Sequence, residues 1–509
     1  MWKLGTVLLL GTFLLAEANL YKDDATMLCP VCERAAFSLM TSLQANATQQ
    51  ELEKMLDEVC HILPSSKRSE CEKAAAHVVS NLGESSSNIM SKYPPHSICA
   101  IAGMCSLECC QSYTQPEQIH LALTTRPTEM AVSWLTLSPD TQSIVQYDTV
   151  DNRWSYNTTG VKSTYTSGGF LGTIHTAVLT GLTPDTEYFY RVGDPTAEML
   201  WRHYAWSVPA TRFRTAPAPS VNNTVRMGFV GDMGATNAAD PSVATLKSMQ
   251  LQGQLDVMVH VGDISYADGY QTLWDEFFRK IEPLASRVPY MACPGNHEDF
   301  FDFQPYAARF SLLGHGSTSS PMYYSLDIGP VHLLSINTEA PMGAMNEGLR
   351  PGAEQYEFIA KDLAAAAANR HLVPWIVVIG HRPFVCSTNK AKYCSDDAAF
   401  LGKHIRPLFD HFGVDLVVVG HAHLYERSYN VTADNTPTQG APIYIVNGAS
   451  GTKEQLMGGF INPPPPYSAF RVSAFGFGSL VATAETLEWR FYLDEFGSVG
   501  DSVTLKRSN

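Results

Sequence analysis

Five short stretches between residues 225 and 425 repeat one pattern: an apolar run, a glycine, then a side chain able to bind a metal ion. Val225–Val230 leads into Gly231-Asp232-Met233-Gly234, and Val257–Val261 into Gly262-Asp263-Ile264-Ser265-Tyr266. Pro289–Pro294 precedes Gly295-Asn296-His297-Glu298, Trp375–Ile379 precedes Gly380-His381-Arg382-Pro383, and Val414–Val419 precedes Gly420-His421-Ala422-His423. The candidate ligands are Asp232, Asp263, Tyr266, Asn296, His381, His421 and His423. This set is too large for one ion but suits two ions that share a carboxylate. Hard oxygen donors suit a trivalent ion, and imidazoles suit Zn, Fe or Mn. Two adjacent ions can clamp a phosphoryl group. A lone Gly-Asp is commonly a turn, and a lone buried histidine is commonly a packing residue. The joint occurrence of all five blocks is what points to a binuclear site.

The elements that must position these groups follow from the apolar runs. Each is too short for a buried helix and reads as a buried strand. The glycine allows a tight turn past the strand end. Helical text such as Ala353–Asn369 separates most of them, which predicts an α/β sheet. Ligands of such sheets gather beyond the strand carboxyl ends, so distant loops can converge.

The whole chain has 509 residues, 45% hydrophobic and 17% charged, a size for about three domains. Its net charge of −15 argues against a nucleic-acid partner, which would call for a basic face. Residues 1–18 read as a signal peptide: Lys3, the apolar Val7–Leu15, and Ala16-Glu17-Ala18 as a cleavage site. No later apolar run approaches the ~20 residues that span a bilayer. A secreted protein or one of a lysosome- or vacuole-like lumen is expected. Eleven cysteines fit an oxidising compartment, and the odd number leaves at least one thiol free or intermolecular. Cys386 and Cys394 are near enough for a local disulfide beside the His381 loop, while Cys109, Cys110 and Cys293 stay unassigned. Sequons at Asn46, Asn157, Asn222 and Asn430 place those asparagines at the surface.

Two segments precede the ligand blocks. In the first, Cys29, Cys32, Cys60, Cys71, Cys99 and Cys105 bracket text of helical spacing such as Glu51–Val59. Six cysteines allow 15 pairings, and spacing alone does not choose. From about Gln115 to Thr215 the period becomes alternating, as in Met130–Leu135 and His175–Leu179, with turn residues between. Trp134 reads as the core indole of a β-sandwich, and Leu182–Gly193 resembles the tyrosine-corner strand of fibronectin type III domains. Thr215–Ser220 reads as a stiff linker.

Residues 25–108 resemble a saposin-B-type domain, which implies the pairs Cys29–Cys105, Cys32–Cys99 and Cys60–Cys71 and contact with lipid or a membrane surface. Residues 112–505 resemble a purple acid phosphatase of the calcineurin-like metallophosphoesterase superfamily. All five blocks occur in order, with Ala441–Gly448 and Ser468–Gly478 as matching tail segments. The expected architecture is therefore multidomain. A helical, disulfide-framed saposin-like domain (25–108) precedes a fibronectin-III-like β-sandwich (112–216). An α/β metallophosphoesterase sandwich (222–430) and a C-terminal region (431–509) follow.

By this resemblance Asp232, Asp263, Tyr266 and His423 hold Fe(III), and Asp263 bridges to a divalent Zn, Fe or Mn held also by Asn296, His381 and His421. His297 is the substrate-facing catalytic histidine, and Glu298 either orients it or is a solvated or helix-capping carboxylate. Most metallophosphoesterases carry Asp-x-His in the first block, whereas position 234 here is Gly, and Tyr266 takes the role of the missing imidazole. The implied reaction is attack of a metal-bound hydroxide on a phosphate monoester. Two other functions compete. One is a sphingomyelinase-like phosphodiesterase, against which Gly234, Tyr266 and the intervening sandwich speak. The other is a non-catalytic lipid-binding protein, against which the complete ligand set speaks. Oligomeric state and the particular ester are not encoded in these motifs.

Overall fold

The computed structural model describes Lys54 and residues 114–507, apart from 171, 197–205, 208–209, 319, 340–347, 391–393 and 495–496. The signal peptide, the six framework cysteines, Cys109, Cys110 and Asn46 lie outside the described residues.

Alternating segments form a β-sandwich first. Its strands are β1 (Glu117–Ala122), β2 (Met130–Thr136), β3 (Ile144–Asp148), β4 (Tyr156–Thr159), β5 (Val161–Ser163), β6 (Thr173–Leu179), β7 (Glu187–Gly193) and β8 (Thr211–Arg214). They make two four-stranded sheets, ordered β1-β2-β6-β5 and β4-β3-β7-β8. Trp134 is buried in the core between them, stacked on His175. Tyr188 closes the expected corner, its hydroxyl accepting the Thr183 N–H at 3.0 Å.

The chain then enters the ligand-bearing region through β9 (Val225–Val230), α1 (Asp240–Leu251), β10 (Val257–Val261), α2 (Gln271–Ala285), β11 (Tyr290–Cys293) and α3 (Gln304–Arg309). Next come β12 (Tyr324–Ile328), β13 (Val331–Ser335), α4 (Glu354–Ala368), β14 (Trp375–Ile379), α5 (Ser395–His404), α6 (Arg406–Phe412) and β15 (Leu416–Val419). The rest is β16 (Tyr425–Asn430), β17 (Ile443–Asn447), β18 (Ser468–Val472), β19 (Gly476–Ala482), β20 (Thr486–Leu493) and β21 (Ser498–Lys506).

These strands form two sheets, as the sandwich implied by the resemblance requires, and the single α/β sheet read from the apolar runs is divided between them. A six-stranded sheet is ordered β11-β10-β9-β19-β20-β21, and a seven-stranded sheet is ordered β12-β13-β14-β15-β17-β16-β18. Both are mixed. β9, β10 and β11 run parallel, as do β13, β14, β15 and β17, with antiparallel neighbours outside them. Along β14, Trp375, Val377 and Ile379 enter a core shared with the first sheet. Ile376 and Val378 enter a second core beneath α4 and α6. Both faces are covered, which is why the strand reads as an unbroken apolar run.

The sandwich grips α2, the helix that follows the Asp263 loop. Glu282 accepts the Gln118 N–H at 2.8 Å, Arg279 pairs with Glu117 at 2.8 Å, and Tyr190 donates to the Ser286 carbonyl at 2.6 Å. The sandwich therefore buttresses one wall of the site.

Candidate metal centre

Three of the five loops leave the first sheet and two leave the second. Asp232 follows β9, Asp263 and Tyr266 follow β10, and Asn296 and His297 follow β11. His381 follows β14, while His421 and His423 follow β15. The turns are sharp. Asp232, Asp263, Tyr266 and His421 all have φ between 49° and 68°, in the left-handed region. For a bulky side chain such as Tyr266 that conformation is costly and marks a constrained site. Close packing also decides the adjacent residues. A Cβ on Gly262 would lie 2.4 Å from His381 Nδ1, and one on Gly295 would lie 2.3 Å from Asp263 Oδ1. Only glycine lets these loops meet.

The seven candidate ligands come together as two sets with one member in common. Ligand atoms of Asp232, Asp263 and His423 lie within 4.8 Å of one another, as do those of Asp263, His381 and His421. The Tyr266 hydroxyl adds to the first set, 2.9 Å from His423 Nε2 and 3.3 Å from Asp232 Oδ1. Asn296 Oδ1 adds to the second, 3.2 Å from His381 Nε2. His381 donates from Nδ1 to the Val261 carbonyl at 2.9 Å, which turns Nε2 toward Asp263 at 3.2 Å. All these groups are buried except Asn296, which is half-buried.

The donor chemistry fits a pair of cations. Burial pushes the Asp232 carboxyl above its usual range. At Asp263 burial acts the same way, but His381, His297 and His421 outweigh it and hold the carboxyl below its usual range. Burial and then both carboxylates drive the Tyr266 phenol well above its ordinary pKa. A highly charged cation seated among these groups reverses the rise at Asp232 and Tyr266 and reinforces the depression at Asp263. The ring of Tyr266 also fills the space over Gly234, where a Cβ would lie 3.2 Å from Tyr266 Cδ2. A side chain at position 234 and this tyrosine compete for one volume.

His297 stands beside both sets. Its N–H donates to Asp263 Oδ1 at 2.9 Å and its ring is partly exposed. Glu298 does not orient it. Glu298 is buried and accepts the Ile264 and Gly295 N–H groups, each at 2.9 Å, so it caps the short Asn296–Glu298 turn and ties two ligand loops together. The residue on His297 Nδ1 is Asp268, whose other oxygen takes the Lys453 ammonium. Lys453 also donates to the Tyr266 carbonyl at 3.0 Å, and Glu454 Oε1 lies 3.6 Å from His297 Nε2. Burial opposes charge on His297, yet Asp268 and Asp263 outweigh it and raise its pKa to about 9.

Asp268, Lys453 and Glu454 are absent from the sequence reading. Asp268 lies in the same loop as Asp263, five residues on, a local signal for a carboxylate beside the site. Lys453 and Glu454 follow β17 with no surrounding pattern. Cys386 and Cys394 are joined, and Cys293 is a buried free thiol. Asn157 and Asn222 are exposed, while Asn430 is half-buried and donates to the Ala441 carbonyl at 2.7 Å.

Comparison with known proteins agrees with this architecture segment by segment. Residues 116–215 match the purple acid phosphatase N-terminal domain, 225–425 the calcineurin-like phosphoesterase domain, and 441–502 the iron/zinc purple acid phosphatase-like C-terminal segment. Residues 27–64 match saposin-like type B, region 1. Acid phosphatase type 7 of Mus musculus is 33% identical over 387 residues, covering 72% of this chain and 84% of the relative. Probable purple acid phosphatase 20 of Arabidopsis thaliana is 31% identical over 408 residues, covering 77% and 88%. The structure of purple acid phosphatase PPD1 from yellow lupin seeds shares the fold, with a TM-score of 0.68 and 24% identity over 77% of this chain and 75% of that one. The two ligand sets, the sheets that carry them and these relatives agree: the chain belongs to the purple acid phosphatase family and is a metal-dependent acid phosphatase.

Proposed function

We propose that this enzyme hydrolyses phosphate monoesters at a binuclear Fe(III)–M(II) pair. Fe(III) would be held by Asp232, Asp263, Tyr266 and His423. A divalent Zn, Fe or Mn would be held by Asp263, Asn296, His381 and His421. The observation that carries the reading is that Asp263 belongs to both ligand sets. When bound, such a pair neutralises charge on a transferring phosphoryl group and acidifies water. The chain's own residues then act on the ester. His297, clamped at Nδ1 by Asp268, is left with Nε2 to hold a phosphoryl oxygen or to hand its proton to the departing alkoxide. Lys453 holds Asp268 from the far side, which keeps the imidazole from swinging. Glu298 fixes the spacing of the Asp263 and Asn296 loops.

A monoester and a choline phosphodiester, compared on the purified enzyme at acid pH, test this reading. Preference for the monoester is expected, and preference for the diester would move the enzyme to the sphingomyelinase-like class.

The full chain would be a secreted or lysosome-like lumenal protein, with 1–18 removed and domains at 25–108, 112–216, 222–430 and 431–509. No helix among the described residues is long and apolar enough to cross a membrane. Residues 25–108 would bring the enzyme to a lipid surface. Co-sedimentation of the full chain with lipid vesicles is expected, and loss of that binding should follow deletion of the segment. Binding unaffected by the deletion would count against a lipid role.

A further inference from the structure

Away from the ligand loops, a polar groove of about 520 Å³ opens where β8, the start of β9 and the C-terminal end of α1 meet. Pockets of roughly 300–1,000 Å³ hold ligands of drug size, and two linked N-acetylhexosamines are of that size. Three arginines on its walls are already matched with acids. Arg212 pairs with Glu187 at 3.5 Å, Arg214 with Asp185 at 2.9 Å and Arg226 with Asp256 at 3.4 Å. Arg287, just past α2, is half-buried and lines the same groove. Among the described residues its guanidinium has no hydrogen bond or ion pair. A guanidinium only donates, so this one presents its N–H groups to whatever oxygen enters. Asp185, Glu187 and Asp256 already balance the other three arginines, and hydroxyl and amide oxygens are among the acceptors that Arg287 can serve.

One source of such oxygens would be tethered at the rim. The sequon Asn222-Asn223-Thr224 lines the groove along its whole length. Asn222 is exposed, and among the described residues its side-chain amide makes no hydrogen bond. We infer that the first sugars of an N-linked glycan on Asn222 fold back into this groove and accept hydrogen bonds from Arg287. The docked glycan would bridge the sandwich strand β8 to α1 and to the segment after α2, stapling the buttress to the phosphatase fold. This inference rests on passage through a secretory pathway and is independent of the phosphatase reading.

The test uses the full chain from a secretory host. Glycopeptide mass spectrometry first scores Asn157 and Asn222, then follows release of each glycan by peptide-N-glycosidase from the native protein. Asn157, on the exposed strand β4, serves as the internal reference. Release at Asn222 is expected to be about tenfold slower than at Asn157, equivalent to about 1.4 kcal/mol of docking. In Arg287→Ala or Arg287→Gln it should rise to the Asn157 rate, with phosphatase activity unchanged. An unmodified Asn222, equal release rates in the native protein, or slow release that persists in both variants would overturn the inference.

Discussion

Replacing His297 with alanine is expected to lower kcat by about 10²–10⁴-fold, the range for loss of a positioned acid or base, while both metals and any visible band remain. The separation follows from geometry. The imidazole lies outside the two ligand sets, its hydrogen-bonded side-chain partner Asp268 is not a member of either, and its Nε2 stays 3.9 Å from Asp263 Oδ2. The backbone N–H that His297 gives to Asp263 survives the substitution. Steady-state kinetics with metal analysis on the same sample checks it. Unchanged kcat would remove His297 from the reaction, and loss of metal would make it a ligand or a structural support.

Asp263 should fail differently. It is the carboxylate common to both sets, and it also anchors the Asn296–His297 loop through the His297 N–H. Asp263→Ala is expected to release both metals and reduce turnover on the order of 10³-fold or more, since several kcal/mol of charge stabilisation leave with them. Asp263→Asn keeps the volume and one acceptor, so it separates metal loss from misfolding. It should stay folded by circular dichroism yet bind less than two metals. Retention of two metals per chain in both variants would show that Asp263 does not bridge.

The contrast between these two residues also shows what was legible in the chain. Every member of the two ligand sets lies on the short loop opened by an apolar run and a glycine, because the chemistry needs a strand end and a tight turn, and both leave local marks. Tyr266 was legible through Gly234, since the tyrosine ring uses the space that a side chain at 234 would need. Which loop leaves which of the two sheets was not legible in the apolar runs themselves. A strand buried on both faces reads the same whichever sheet it joins, and pairing is settled by distant neighbours. The clamp on His297 was hidden for the same reason. Lys453 reaches Asp268 and the Tyr266 carbonyl across the fold, and nothing local distinguishes it from a surface lysine. Of the readings open to Glu298, the one realised is the cap, decided by the two N–H groups that converge on it.

The most direct measurement is a visible absorption spectrum of the purified native protein and of Tyr266→Phe, each with metal analysis. A phenolate on Fe(III) absorbs visible light by charge transfer. A broad visible band, about two metals per chain including iron, and loss of that band in Tyr266→Phe are the expected results. A colourless protein holding two zinc ions, or a band that persists in the variant, would contradict the placement of Tyr266 on iron.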